Sequence, residues 1–586
     1  MAFLLSSPIS NFSFPKLKHK TIDITKSKTQ CSHNSNIPTE TIVRRSANYK
    51  PTIWDSDFVL SLRSQYKEEK YTNRIRKLKE EVKTMLIKSR TPWDQLELID
   101  ILQRLGLAYH FEHQIHEILM CIYNKTHSHD TDKSIKKDLH FTALEFRLLR
   151  QHGFNISQEI FSDFQDEVGN LKRNLYDDYK GILSLYEASF LSEEGENVLD
   201  SAREFGYNKL RKHVQQNQET DPYYAKLINH ALELPLHWRM QRLESRWFID
   251  MYEVKHGMDS HILELAKLDF NNVQATYQAD LQYTSCWWKS TCLAEKLSFI
   301  RDRLVENFLW AVGQIYEPRF GYCRRMCSKV YSLITTIDDI YDVYGTLEEL
   351  ELFTDAVQRW EVTEIEHLPD YMKICFVCLH NTINEIGYDV LKEKGFHIIP
   401  YLKKAWVDLC EAYLLEAKWY HSRYTPTVEE YTENAWISIS GPVILVHVFF
   451  LTQDKITFDS LKYLKEYPEI VRLSSLVLRL ANDLGTSSDE LKRGDIPKLI
   501  QCYMNESGAS EDEARQYIQC LISETWKKMT KQGCIESPLL SKAFIGIAMD
   551  LARMAQCAYQ HGDGYGIPDG ETKDHVLSIL VQPIPI

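Results

Sequence analysis

Leu333-Ile334-Thr335-Thr336-Ile337-Asp338-Asp339-Ile340-Tyr341-Asp342 is an apolar run of helical character that ends on two adjacent carboxylates, with a third one turn later. On a helix, Asp338 and Asp342 stand at i and i+4 and share a face. Like charges beside an apolar run are costly to bury unless a cation neutralises them, and hard divalent ions such as magnesium take carboxylate oxygens together with phosphate oxygens. The same letters also read as an exposed helix end that carries acidic residues.

A second stretch, Arg479-Leu480-Ala481-Asn482-Asp483-Leu484-Gly485-Thr486-Ser487-Ser488-Asp489-Glu490, places oxygen donors every fourth residue. At ~100° per residue, Asn482, Thr486 and Glu490 drift by only ~40° per step and form one stripe along a helix. An amide, a hydroxyl and a carboxylate suit one octahedral magnesium completed by water and phosphate. The alternative is a helix start capped by Thr486 or Ser487, with Glu490 closing a capping box. Cations accompany both motifs: Arg301 and Arg303 in Ile300-Arg301-Asp302-Arg303-Leu304, Arg479 one turn before Asn482, and Lys498 after Asp495-Ile496-Pro497. Guanidinium groups grip phosphate bidentately and an ammonium acts as a point charge, whereas scattered on a surface the same residues are solvated charges.

The surrounding chain fits a large helical protein. Its 586 residues exceed what one core serves, so two domains are expected. Apolar residues recur at helical spacing, as in Leu96, Ile99, Leu102 and Leu105 or Leu297, Ile300, Leu304 and Phe308, with little strand-like alternation. A joint is expected at about residues 255–270, and neither a P-loop nor a strand–glycine–helix unit occurs. The net charge of −13 disfavours nucleic acid, so phosphate must be held by local metal and Arg or Lys. Thirteen Cys without framework spacing fit a reducing compartment. No run of about 18 apolar residues is evident, so no membrane span is expected. Residues 1–40 carry seven Ser and five Lys against Asp23 and Glu40 and read as a plastid transit peptide, or else as a disordered tail.

Asp338-Asp339-Ile340-Tyr341-Asp342 resembles the aspartate-rich motif of plant terpene synthases, and Asn482/Thr486/Glu490 resembles their second metal motif. The likeness extends to Arg44-Arg45 followed by eight residues and Trp54, a monoterpene synthase pattern, and to Leu234-Pro235-Leu236-His237-Trp238-Arg239 and Arg301-Asp302-Arg303. The resemblance implies an all-α fold of two helical domains, 41–262 without chemistry of its own and 263–586 a class I terpenoid-synthase bundle, behind a transit peptide at 1–40. It implies three Mg2+ ions, with Mn2+ as a substitute, held by Asp338, Asp339, Asp342, Asn482, Thr486 and Glu490. Arg301, Arg303, Arg479 and Lys498, with Asp338 and Asp342 through metal, would bind the diphosphate. Arg301, Trp310, Tyr559 and Asp563 would serve catalysis, and Arg44, Arg45, Trp54 and Tyr565 would close the mouth.

The implied reaction is ionisation of geranyl diphosphate to a monoterpene in the plastid stroma, with an acyclic ocimene- or myrcene-like product, by a monomer or weak homodimer. Two alternatives stand beside it: isoprene or farnesene formation from a shorter or longer diphosphate, and a non-catalytic isoprenoid-binding protein. Isoprene-forming relatives carry Phe at the position of Tyr331 and Asn at that of Lys498, which this chain does not. Most family members have Gly where Cys292 stands and Arg where Cys286 stands, and the Asp-x-Asp-Asp motif of protonation-initiated cyclases is absent at Leu175-Tyr176-Asp177-Asp178. His110, His113 and His116, the Cys375/Cys378 pair, and His127, His129, Asp130 and Asp132 lack metal-site spacing and read as ordinary helix and loop residues.

Overall fold

The computed structural model describes residues 44–586 apart from 90, 127–137, 168–170, 217–220, 494–496, 536 and 567–569, and apart from the side chains of 364 and 488–493. The serine-rich leader and the 127–132 His/Asp loop lie outside the described residues. Among the described residues every regular element is a helix, and the one strand-type pairing is an isolated bridge between Gln165 and Leu171.

Local chemistry sets the helix boundaries. Thr91 caps a helix that begins with Pro92, and Asp259 accepts from the backbone N–H groups of His261 and Ile262 to start the 32-residue helix α1 (Ser260–Thr291). The preceding helix ends at Glu253, so the break falls at 254–259. After α1 come α2 (Leu304–Gln314), α3 (Gly321–Asp339), α4 (Ile399–Ser422), α5 (Val428–Ser438), α6 (Gly441–Thr452), α7 (Glu469–Arg493), α8 (Leu499–Ser507) and α9 (Lys542–Ala558). Cys292 closes α1 in the left-handed region, at φ 52°. That is the C-cap conformation glycine adopts without steric cost, which accounts for the family's Gly there by backbone geometry.

The polar residues of α1 join distant parts of the chain. Asp269 accepts from the Tyr109 hydroxyl and from His110, so His110 is engaged in packing, while His113 and His116 are exposed. Asp280 pairs with Arg324 at 2.6 Å and Arg325 at 2.6 Å on α3. Gln274, Gln278 and Asn271 bond the backbone of 579–584 at the carboxy terminus. A helix this buried keeps its polar groups only because each finds a partner.

The expectation that no long apolar run exists needs correcting. Val428–Thr452 is long and apolar enough to cross a membrane, but 78% of its most hydropathic window is buried within the protein. Ser440, at φ 69°, breaks it into α5 and α6. Within α6, His447 is fully buried, donates from Nδ1 to the Val443 carbonyl at 2.7 Å, and has its pKa lowered to about 4 by burial. Between about pH 4 and 6.5 the unfolded chain binds this proton and the native protein does not, so stability falls as pH drops through that window. Urea denaturation should show wild type losing about 2 kcal/mol more than His447→Gln between pH 7 and pH 5. Equal losses in the two proteins would contradict this reading.

Candidate active site

The first acidic motif sits where α3 ends. The α-helix stops at Asp339, and Ile340–Tyr344 follow as a single π-helical turn. Asp338 thus lies in the last turn of the α-helix and Asp342 in the widened turn that continues it, a local distortion common at functional sites. Thr346 and Glu349 form a capping box immediately afterwards, which fixes where the next helix begins.

Arg301 faces this turn. Its backbone N–H donates to Asp339 Oδ2 at 2.6 Å, and its guanidinium bonds Asp338 and lies 2.8 Å from Asp339 Oδ1. Burial pushes the Asp339 carboxyl up to about 6 although Arg301 opposes the shift. Burial also works against the Arg301 charge, but Asp339, Tyr49 and Asp338 outweigh it and hold the guanidinium well above its usual range. The Tyr49 ring lies 5.0 Å from that guanidinium.

An aromatic wall adjoins this cluster. Trp310 on α2 has ring contacts with Tyr559 at 6.0 Å, Tyr331 at 6.3 Å and Tyr565 at 6.3 Å. A cavity of about 270 Å³ borders Trp310 on one side, where Met554 and Cys557 meet the polar side chains of Glu306, His561, Asp563 and Glu571. Asp563 accepts from the N–H groups of Tyr565 and Gly566, which shapes the loop, and the Tyr565 hydroxyl bonds Asn307 Oδ1 at 2.8 Å and Thr335.

The amino-terminal segment docks on the same region. Arg44 makes a bidentate pair with Glu349 at 2.7 and 2.8 Å and donates to the Tyr344 carbonyl, with Tyr344 and Tyr371 beneath it. Arg45 donates to the Asp342 carbonyl and lies over Tyr420. The Trp54 indole donates to the buried Glu306 at 2.9 Å, and Arg303, 1% exposed, donates to the carbonyls of Asp302 and Lys50. Arg303 thus lies among the carbonyls of Lys50 in the amino-terminal segment, of Asp302 and of Gly566, whereas Arg301 meets the aspartates.

The second motif lies within the continuous helix α7, which excludes a helix start at Thr486. Thr486 Oγ1 donates to the Asn482 carbonyl at 3.0 Å, and Asn482 Oδ1 accepts from Arg479 at 3.2 Å. Glu490 is on the same helix, but its side chain is outside the described residues. Lys498, 7% exposed, precedes α8. Tyr413 on α4 bridges the motifs: burial raises its phenol, and the charges of Asp338, Asp342, Glu416 and Arg479 all reach it.

Sequence reasoning missed Asp483, Asn307, Tyr49 and Glu349. Asp483 was visible as the acid beside Asn482 but off its stripe, whereas Asn307 carried no motif. Among the described residues no three His, Cys, Asp or Glu side chains gather into a ready-made metal cluster. The pairing open to a hard cation is carboxylate, amide and hydroxyl oxygen completed by ligand oxygens.

Comparison with known proteins matches this arrangement. The description "Terpene synthase, N-terminal domain" fits residues 53–232, and "Terpene synthase family, metal binding domain" fits 289–528. The chain is 64% identical to terpene synthase 10 of Ricinus communis, over 93% of this chain and 98% of that one. It is 60% identical to a (−)-α-terpineol synthase of Vitis vinifera, over 94% and 92%. It is 57% identical to a chloroplastic myrcene synthase of Quercus ilex, over 100% and 99%. A crystal structure of limonene synthase with 2-fluorolinalyl diphosphate superposes with a TM-score of 0.90 at 47% identity, covering 93% of this chain and 100% of that one. Isoprene synthase of Populus x canescens, in complex with three Mg2+ ions and dimethylallyl-S-thiolodiphosphate, gives 0.83 at 48% identity, over 91% and 99%. The chain belongs to the terpene synthase family, and is an enzyme of the class I terpenoid-synthase fold.

Proposed function

We propose that the protein is a monoterpene synthase that ionises geranyl diphosphate. The observation that carries this reading is the Arg301–Asp338–Asp339 cluster set beside the aromatic wall of Trp310, Tyr331, Tyr559 and Tyr565. A charged cluster next to an aromatic wall suits a molecule with a diphosphate head and a hydrocarbon tail. Relatives at 57–60% identity named for myrcene and terpineol support a ten-carbon substrate.

The donor set fits magnesium, since Asp338, Asp342, Asn482 and Thr486 offer only hard oxygens and Asp338 and Asp342 are half-buried. We assign Asp338 and Asp342, assisted by Asp339, to one pair of ions, and Asn482, Thr486 and Glu490 to a third, with manganese as substitute. Bound there, such ions are Lewis acids toward the leaving diphosphate. Arg301, Arg303, Arg479 and Lys498 provide positive charge for the departing group, and Arg303 also bonds the Lys50 carbonyl of the amino-terminal segment. Trp310 and Tyr559 present π faces that stabilise an allylic cation by ~0.5–2 kcal/mol each without attacking it. Asp563 and Tyr565 order the loop that keeps water out. We place the domain limits at 41–262 and 263–586, in the first turn of α1 just after the helix break at 254–259. Chloroplastic relatives and the composition of 1–40 favour import into the plastid stroma. We favour an acyclic product, although the terpineol- and myrcene-named relatives are of nearly equal identity.

The test is incubation of residues 43–586 with dimethylallyl, geranyl and farnesyl diphosphate in magnesium buffer, with products resolved by gas chromatography. Ten-carbon products from geranyl diphosphate alone are expected. Equal turnover of another chain length, or no diphosphate release at all, refutes the reading. The contacts of Arg44 and Arg45 add a second expectation. Arg44→Ala/Arg45→Ala should turn over more slowly and release more alcohol, while melting within about two degrees of wild type, because partly exposed pairs contribute little stability. Unchanged kinetics and products in that double variant would remove the pair from the closure.

A further inference from the structure

We infer that Asn307 is a positioning residue that fixes Tyr565 between Arg301 and Trp310 in the aromatic wall and so sets how much of the cation is captured by water. The inference rests on the terpene synthase reading of this site and adds a residue that no motif marks.

Asn307 lies on α2 one turn before Trp310, and is 3% exposed. Its amide is oriented by its two partners: Nδ2 points to Ser332 Oγ at 3.4 Å, and Oδ1 accepts from the Tyr565 hydroxyl at 2.8 Å. Ser332 donates onward to the Ser328 carbonyl at 3.0 Å, so its oxygen is free to accept from the amide. Proton counting then orders the network. Tyr565 has one hydroxyl proton, and the Asn307 carbonyl oxygen is an acceptor only, so that proton goes to Asn307. The phenol oxygen is left to accept from Thr335, whose one hydroxyl proton then turns from the Tyr331 carbonyl 3.0 Å away.

The consequence is a ring pinned at both ends. At its backbone, Asp563 accepts from the Tyr565 N–H at 3.2 Å, and Thr572 bonds the Gly564 carbonyl, which sets the loop. At its tip the hydroxyl bridges α2 and α3. Between those points the ring meets Trp310 edge-on at 6.3 Å and the Arg301 guanidinium at 5.8 Å. Burial raises the phenol well above its usual range, so it stays neutral and offers no anion to the cation. Tyr565 therefore touches both the Arg301 guanidinium and Trp310, and Asn307 is the acceptor that holds it there. Loss of that acceptor leaves the tip of the ring free to move, and water gains access to a cation that only an apolar, closed chamber protects.

The experiment compares Asn307→Leu, Asn307→Asp, Tyr565→Phe and Asn307→Leu/Tyr565→Phe as full-length proteins, each given geranyl diphosphate. Total diphosphate release and the ratio of alcohol to hydrocarbon are both recorded. Asn307→Leu and Tyr565→Phe should each raise that ratio about twofold to tenfold, the range one lost hydrogen bond gives. The double variant should match the singles, since all three remove the same bond. Asn307→Asp keeps an acceptor oxygen and should hold the wild-type ratio. An unchanged ratio in Tyr565→Phe, additive effects in the double variant, or an Asn307→Asp ratio as high as that of Asn307→Leu would overturn the inference. If Asn307→Leu does not fold, Tyr565→Phe against Asn307→Asp decides it alone. Absence of diphosphate release from the wild type would instead refute the substrate reading.

Discussion

Asp338→Ala is expected to reduce turnover of geranyl diphosphate by at least about a thousandfold, on the order of 4 kcal/mol of transition-state stabilisation, and to leave the protein folded. The size follows from what a diphosphate leaving group demands. Charge develops on its oxygens as the carbon–oxygen bond breaks, and the Asp338 carboxylate is the proposed anchor for the cation that answers it. The intact fold follows from the surroundings of Asp338. Its side chain is 27% exposed at the end of α3 and fills no core space. Its loss does not orphan the Arg301 charge either, because Asp339 remains at 2.8 Å and still accepts from the Arg301 N–H at 2.6 Å. Circular dichroism and thermal melting of Asp338→Ala should therefore resemble wild type while diphosphate release is lost. Substantial residual activity at saturating magnesium would remove Asp338 from the proposed metal set.

How far this site was legible from the chain depends on which physical signal each residue carries. The helical class and the two motifs are periodic, and periodicity survives in sequence: Leu96, Ile99 and Leu102 are all fully buried on one helix face, as their spacing implies. Asn482 and Thr486 do share one helix, and the alternative of a capped start at Thr486 falls because α7 begins at Glu469. The π turn at Ile340–Tyr344 was not legible, because a one-residue widening leaves no mark on an apolar pattern that already ends at Asp338. Nor were the different partners of Arg301 and Arg303. Two residues apart, one meets Asp338 and Asp339 and the other the Lys50 carbonyl, and only the packing of the amino-terminal segment decides that. Asn307 and Tyr413 act through residues 258 and more than 60 positions away respectively, and contacts at such separation have no local signature. Cys292 shows the reverse case. Its oddity was visible as a departure from a family glycine, but its meaning is a backbone angle that sequence does not state.

Adjacent residues in the second motif should separate stability from metal binding. Asn482 is half-buried on the stripe with Thr486, and Asn482→Ala is expected to cost under about 1 kcal/mol of stability while raising the magnesium concentration needed for half-maximal activity. Asp483 stands about 100° further round the helix and faces the interior. It is fully buried, accepts the Tyr431 hydroxyl on both oxygens at 3.0 and 2.9 Å, accepts the Leu499 N–H at 3.2 Å where α8 begins, and lies 3.5 Å from Arg479 Nη1. Removing the carboxylate strands a phenol, a backbone N–H and part of a buried guanidinium at once. Because breaking a buried charged pair leaves its partner unneutralised, Asp483→Ala should destabilise the protein by about 3–5 kcal/mol, read as a lower urea midpoint. Activity should fall with it, yet the magnesium dependence of the fraction that remains folded should track wild type more closely than that of Asn482→Ala. An Asp483→Ala protein as stable as wild type would show that Tyr431 and Leu499 find other partners. One that is stable but needs far more magnesium would move Asp483 from the scaffold to the metal set.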